Sequence, residues 1–128
     1  MKRGLPQEAC IPMPKKSRMR QWGRHRYFVL LSTFPNKKDA ERVAEGLIEK
    51  KLAACCSLIP GLSSFFIWEG KKERAKEFLL LMKVEKSCLQ KLHAFLKRHH
   101  PYEVPELIGL PVTTGDSSYL TWVEKSCR

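Results

Sequence analysis

The stretch Glu77–Val84, EFLLLMKV, constrains the fold more than any other part of the chain. Extended, it points Phe78, Leu80, Met82 and Val84 to one side and Leu79 and Leu81 to the other. Tyr27–Leu31, YFVLL, is likewise apolar on both faces. A sheet of such strands needs cover on both sides, because a large bare apolar surface is rare on a monomer. The 128 residues supply one domain and a single core. Helices of the same chain are expected to cover one face. A second copy of the chain is expected to cover much of the other, so the sequence predicts a homo-oligomer.

The other elements follow in order. Asn36 predicts a helix N-cap, with Asp39 three residues on. Behind it Ala40, Val43, Ala44, Leu47 and Ile48 form one apolar stripe at helical spacing. LAACCSLIPGLSSFFIWEG reads as a long extended segment with a bulge or bend at Pro60-Gly61, and Gly70 marks a hairpin turn. Ser87-Cys88-Leu89-Gln90 reads as a capping box opening a second helix, with Leu89, Leu92, Phe95 and Leu96 inward. LIGLPV is the fourth strand, and SSYLTWVEK a last short helix after Gly115-Asp116. The order β-α-β-β-α-β with an added C-terminal helix predicts an α+β fold, the ferredoxin-like plait. That is a four-stranded antiparallel sheet with two helices on one face. The C-terminal helix is expected to cover part of the opposite face.

The formal net charge of +11 suggests nucleic acid until it is divided. Residues 1–26 hold eight Lys/Arg and one acid, a net +7; residues 27–128 hold sixteen against twelve, a net +4. Residues 1–26, with three prolines and no apolar periodicity, read as a disordered basic tail before one domain over 27–128. Any nucleic-acid contact is expected through that tail alone. Its PKKSRMR stretch is compatible with nuclear or organellar targeting of an otherwise cytoplasmic protein, or with a solvated tail that has no specific partner. The longest apolar runs are five residues, too short to span a bilayer. Cysteines at 10, 55, 56, 88 and 127 are odd in number and lack framework spacing, which predicts free thiols.

His99–Glu106, HHPYEVPE, packs two imidazoles, a phenol and two carboxylates into eight residues stiffened by two prolines. His100 precedes Pro101, so the second helix is expected to end near His99. One reading makes this a rigid corner that aims the fourth strand. The other places His100, Tyr102 and Glu103 in a cleft between subunits, with imidazole as a ligand suited to copper. Cys55 and Cys56 alternate across their strand and cannot chelate one ion within a subunit; Cys55 reads as a metal-binding thiolate or as a small apolar residue. Trp68, Glu69 and Lys71 mark the hairpin, as packing residues or as part of the same cleft. Lys83, the polar residue in an apolar strand, needs a partner, with Glu103 or another carboxylate expected.

Taken in series, LAACCSLIPGLSSFFIWEGKKE, EFLLLMK, HPYEVPELIGLPV and the terminal YLTWV make residues 27–125 resemble the CutA family of divalent-cation-tolerance proteins. The resemblance implies a trimer of ferredoxin-like subunits that binds copper(II) or another divalent metal and acts in metal tolerance; no Ser/His/Asp set, paired carboxylates or phosphate loop stands out, so no enzymatic activity is expected. Cys55 stands at the family's AAC position. For animal relatives the resemblance also implies an association with acetylcholinesterase, hence a protein partner. The chain departs from the family pattern with Phe34 after Thr33, Cys56-Ser57 after Cys55, Val84 after Lys83, and a mostly basic KKERAKE.

Other uses of a plait fit less well. The alternative of a regulatory interaction module, similar to the trimeric PII proteins, lacks a long loop in the WEGKKERAKE hairpin. An RNA-binding plait would need a basic-Gly-aromatic signature and stacking aromatics on its strands. An acylphosphatase-type enzyme would need an anion-cradling loop where TFPNKK stands.

Overall fold

The computed structural model describes Met19 and residues 24–128. The expected disordered tail lies almost wholly outside the described residues. Strand β1 (Tyr27–Phe34) leads into helix α1 (Lys37–Glu49), and strands β2 (Cys55–Trp68) and β3 (Lys71–Glu85) form a long hairpin. Helix α2 (Leu89–His99), strand β4 (Ile108–Pro111) and helix α3 (Ser117–Ser126) complete the chain. The strands pair antiparallel in the order β2-β3-β1-β4, the plait expected from the sequence.

Local signals explain most of the element ends. The Asn36 side chain accepts the Asp39 amide at 2.8 Å, so one orphan donor of α1 is satisfied by the residue expected to do it. Asp116 caps α3 through the Tyr119 amide at 3.0 Å. The hairpin closes on Glu69-Gly70 with φ of 49° and 77°, the two positive values that let a two-residue turn follow the strand twist.

One local expectation fails. Ser87 does not cap α2: the helix is preceded by a 3-10 turn over Lys86–Cys88, which holds residue 87 inside a turn rather than in the extended N-cap position. Its hydroxyl donates instead to Glu85 Oε1, and Gln90 Nε2 donates to the Met19 carbonyl at 3.0 Å.

Helices α1 and α2 lie together on one side of the sheet. Ala40, Val43 and Leu47 from α1 and Leu89, Leu92 and Leu96 from α2 share a single buried cluster with Phe28, Leu30, Phe34, Leu80, Met82 and Val84. Gly46 lets the helices approach, since a Cβ there would stand 2.5 Å from the Phe95 ring. Ser32 joins this face fully buried, its hydroxyl without a hydrogen-bond partner among the described residues.

The opposite side is built from the alternate residues of the same strands. Val29, Lys83 and Cys55 form one row across it, Leu31, Leu81 and Ser57 the next, and Thr33, Leu79 and Ile59 a third. Ile108 and Leu110 of β4 extend two of these rows. Helix α3 reaches only one end of this side, where Tyr27 Oη donates to Glu124 Oε1 at 3.0 Å and Arg26 bridges Glu85 and Glu124. Ile59, Ile108 and Leu110 therefore remain 40%, 52% and 53% exposed.

A bulge between Ile59 and Leu62, with Gly61 at a φ of 86°, sits where Pro60-Gly61 was expected to bend the chain. It also exchanges the two faces of β2. Before it, Cys56 and Leu58 stand opposite Met82 and Leu80 on the helix side; after it, Ser63, Phe65 and Ile67 take that side opposite Lys76, Arg74 and Lys72. No helix among the described residues is long and apolar enough to cross a membrane.

Candidate functional site

The corner predicted from HHPYEVPE is real and buried. Helix α2 ends at His99, and His100 turns extended with φ −77° and ψ 139° ahead of Pro101. The His100 ring then stacks on Phe34, with centroids 4.1 Å apart and planes 23° from parallel. The Tyr102 amide donates to His100 Nδ1 at 3.0 Å, which makes that nitrogen the acceptor. The protonated Nε2 is left to donate to the Thr33 carbonyl at 2.9 Å. Both ring nitrogens thus lock the corner to the end of β1. Tyr102 is buried beside it and donates from Oη to Glu77 Oε2 at 2.6 Å.

Arg42 ties α1 to the same corner. Its Nη2 donates to the His99 carbonyl and to Asp39 Oδ1, each at 3.0 Å, a cation set against the C-terminal end of α2. The hydrogen bonds from Arg42 and Asn36 hold the Asp39 carboxyl below the usual carboxylate range.

A second cluster stands on the open side of the sheet. Strand register sets Cys55 directly opposite Lys83, and Lys83 Nζ approaches Cys55 Sγ at 3.9 Å. Ser57 Oγ lies at the same distance from that sulfur. The expected carboxylate partner of Lys83 is not the one found: Glu103 is exposed beyond the Pro101 turn, and the thiol occupies the place across the strand. Cys56 faces the other way, as alternation requires, and burial pushes its thiol up to about 12. It lines a groove of about 560 Å³ with Ala44, Glu45, Ile48 and Glu49, so this groove is separate from both clusters.

One subunit does not bring the sequence-predicted residues together. The Cys55 row crosses β1 at Val29, while His100 is bound at Thr33, four residues or about 13 Å farther along the strand. Trp68, half-buried, faces Lys71 across the hairpin end beside the exposed Glu69, still farther out on the ribbon. Among the described residues no three His, Cys, Asp or Glu side chains gather closely enough to hold a metal ion. His93 is buried on α2, which ends before His100.

Sequence reasoning missed Glu77 and Thr33. Glu77 abuts the apolar run of β3 and looks like its solvated start, and Thr33 contributes only a carbonyl, which no side-chain pattern reveals. Arg42 was also missed, because its role depends on α1 and α2 lying side by side.

Known proteins of this architecture are similar to it in sequence. The CutA1 divalent ion tolerance protein family matches residues 28–126. The divalent-cation tolerance protein CutA of Pectobacterium atrosepticum is 48% identical over 100 residues, covering 78% of this chain and 91% of that protein. The Escherichia coli protein of the same name is 46% identical over 100 residues, covering 78% and 89%. Among solved structures, CutA1 from Oryza sativa superposes with a TM-score of 0.79 at 40% identity, covering 81% of this chain and 95% of that one. The Thermus thermophilus protein gives 0.76 at 38%, covering 78% and 97%. The chain belongs to the CutA1 family of divalent ion tolerance proteins.

Proposed function

We propose that this protein acts in tolerance of divalent metal ions as a homotrimer without enzymatic activity, and that it binds copper(II) or a similar cation where subunits meet. The observation that carries this reading is the open side of the sheet, an apolar surface with a thiol and an ammonium set into it. Three copies closing their open sides against one another would bury Ile59, Ile108 and Leu110 and repeat Cys55 three times around one axis. Symmetry would then supply the ligand count that one subunit lacks, and thiolates suit copper, above all as Cu(I).

Within this reading Cys55 is the primary ligand, with the Lys83 ammonium beside its sulfur. Glu103, exposed after the rigid corner, would contribute across a subunit boundary. His100 would join only by releasing the Thr33 carbonyl or the Tyr102 amide, so its first duty is to hold the corner. Tyr102, Trp68, Glu69 and Lys83 would line the cleft. The two-residue hairpin turn argues against the long-loop nucleotide site of a PII-like module.

Copper(II) titration of wild type, Cys55→Ser and His100→Ala tests the metal site. Loss of stoichiometric binding in Cys55→Ser, with a smaller change in His100→Ala, is the expected result. Equal stoichiometry and affinity in all three would remove the metal site and leave the assembly to be judged by its mass.

A further inference from the structure

Four cysteines among the described residues carry free thiols, and two of them belong neither to the Lys83 cluster nor to the groove. Cys88 and Cys127 are far apart in sequence, yet they lie 5% and 6% exposed in one buried cluster. Cys88 is the N-cap of α2 and Cys127 the C-cap of α3. A bond between them would join the start of one helix to the end of the other.

The two side chains already face each other. The Cys88 thiol donates to the Cys127 carbonyl at 3.3 Å and stands 3.7 Å from the Lys51 carbonyl. The Cys127 thiol is hydrogen-bonded to the Cys88 side chain, and the Glu85 backbone hydrogen-bonds it too. Burial above all, with the neighbouring Cys88 behind it, pushes the Cys127 thiol up to about 11. It therefore stays protonated at neutral pH and resists the fast attack that an exposed thiolate makes. A single buried cysteine is a small apolar residue. Two that meet at a pair of helix ends are also a dithiol. Cys55 and Cys56 lack this geometry, since they point to opposite faces of β2.

We propose that Cys88 and Cys127 form a redox-modification site, a dithiol that a peroxide closes to a disulfide within one subunit. One sulfur, having lost its proton, attacks an oxygen of hydrogen peroxide. The O–O bond breaks, a sulfenic acid forms, and the proton leaves in water. The second sulfur then attacks the sulfenic sulfur, the S–O bond breaks, and the second proton leaves in another water. Two thiols lose two electrons in all, and the peroxide is reduced to two waters. The bond holds α3, whose Glu124 binds Tyr27 and Arg26, against the start of α2. It is independent of the metal reading and of assembly, because both sulfurs lie inside one subunit.

The test is treatment of the full chain with hydrogen peroxide, alkylation of the remaining thiols in denaturant, and mass analysis of tryptic peptides. The expected product links peptide 87–91 to peptide 126–128, dominates over other pairings of the five cysteines, and is released by dithiothreitol. Closing a loop of about 40 residues should raise the thermal unfolding midpoint by about 10 °C over the reduced protein. That comparison needs no variant; Cys127→Ala should abolish both the link and the shift. The proposal is overturned if peroxide leaves both thiols open to alkylation, or carries either one to a sulfinic acid instead. It is equally overturned if the native protein gives the same mixture of pairings as protein oxidised in guanidinium chloride, since the fold would then not select this pair. A link that lowered the midpoint would also sink it, because the bond would be straining the fold it is meant to hold.

Discussion

The two sides of this sheet are made from neighbouring residues of the same strands, and they have different fates. Leu30 and Met82 lie fully buried under α1 and α2, while the adjacent rows of Val29, Leu31, Leu79 and Leu81 are only half-buried. At the edge of those rows Ile108 and Leu110 are more than half exposed. Composition does not separate the sides; the supply of helices does. A plait of this length has two helices to lay on its sheet, and α3 is spent at one end, against Tyr27 and Glu85. The apolar content of the first side serves folding; in the proposed trimer that of the second side would serve assembly.

The comparison breaks if the two sides respond alike to substitution. Leu30→Ala on the covered side is expected to cost about 3 kcal/mol in denaturant unfolding, through lost transfer free energy and the cavity left among α1, α2 and the sheet. That loss belongs to the subunit and should not depend on protein concentration. Ile108→Asp with Leu110→Asp on the open side should leave the isolated subunit folded by circular dichroism. It should weaken association by about 2 kcal/mol per side chain, read as dissociation on dilution. If the aspartates unfolded the subunit, or left its mass unchanged, the open side would not be the assembly surface.

The buried corner supplies an intermediate effect. Tyr102→Phe removes the donor to Glu77 while keeping the ring, with an expected loss of about 2 kcal/mol in subunit stability. Wild-type stability would mean that Glu77 needs no phenol. The smallest effect is one of pH. Burial, aided by Lys97, holds His93 below its ordinary value of 6.5, so the unfolded chain binds the proton more readily than the folded one. Stability should therefore be full at neutral pH and decline as pH falls through 6.5, levelling off below the folded value. Unfolding midpoints measured from about pH 8 to pH 5 in wild type and His93→Gln check this, with a shallower slope expected in the variant.

Much of the fold was legible because each element carried its own signal. Asn36 and Asp116 announce helix starts by their side chains, Gly70 announces a turn by its backbone, and the bulge follows from Pro60-Gly61. The Ser87 cap was misread because capping depends on backbone angles as well as residue type, and the 3-10 turn from Lys86 changes them. Ile48 was placed in the core stripe of α1 by spacing, yet it stays 43% exposed and lines the groove with Cys56. Spacing fixes which way a side chain points on its helix, not whether a neighbour arrives to cover it.

The site was less legible. The rigid corner was read correctly from His100-Pro101 and Tyr102. Its contacts with Thr33, Phe34 and Glu77 join segments far apart in sequence, and no local pattern encodes them. Lys83 was rightly singled out as needing a partner, but the partner is Cys55, fixed by strand register rather than by charge. The ligand set proposed to be shared between subunits would be harder still to read, since each subunit would show only its own share.

Sedimentation equilibrium of the full chain in dilute solution tests the account most directly. The proposed trimer, which would cover Ile59, Ile108 and Leu110, predicts a particle of three chains that persists on dilution. A compact single chain of 14.8 kDa, stable with that side in water, would contradict it.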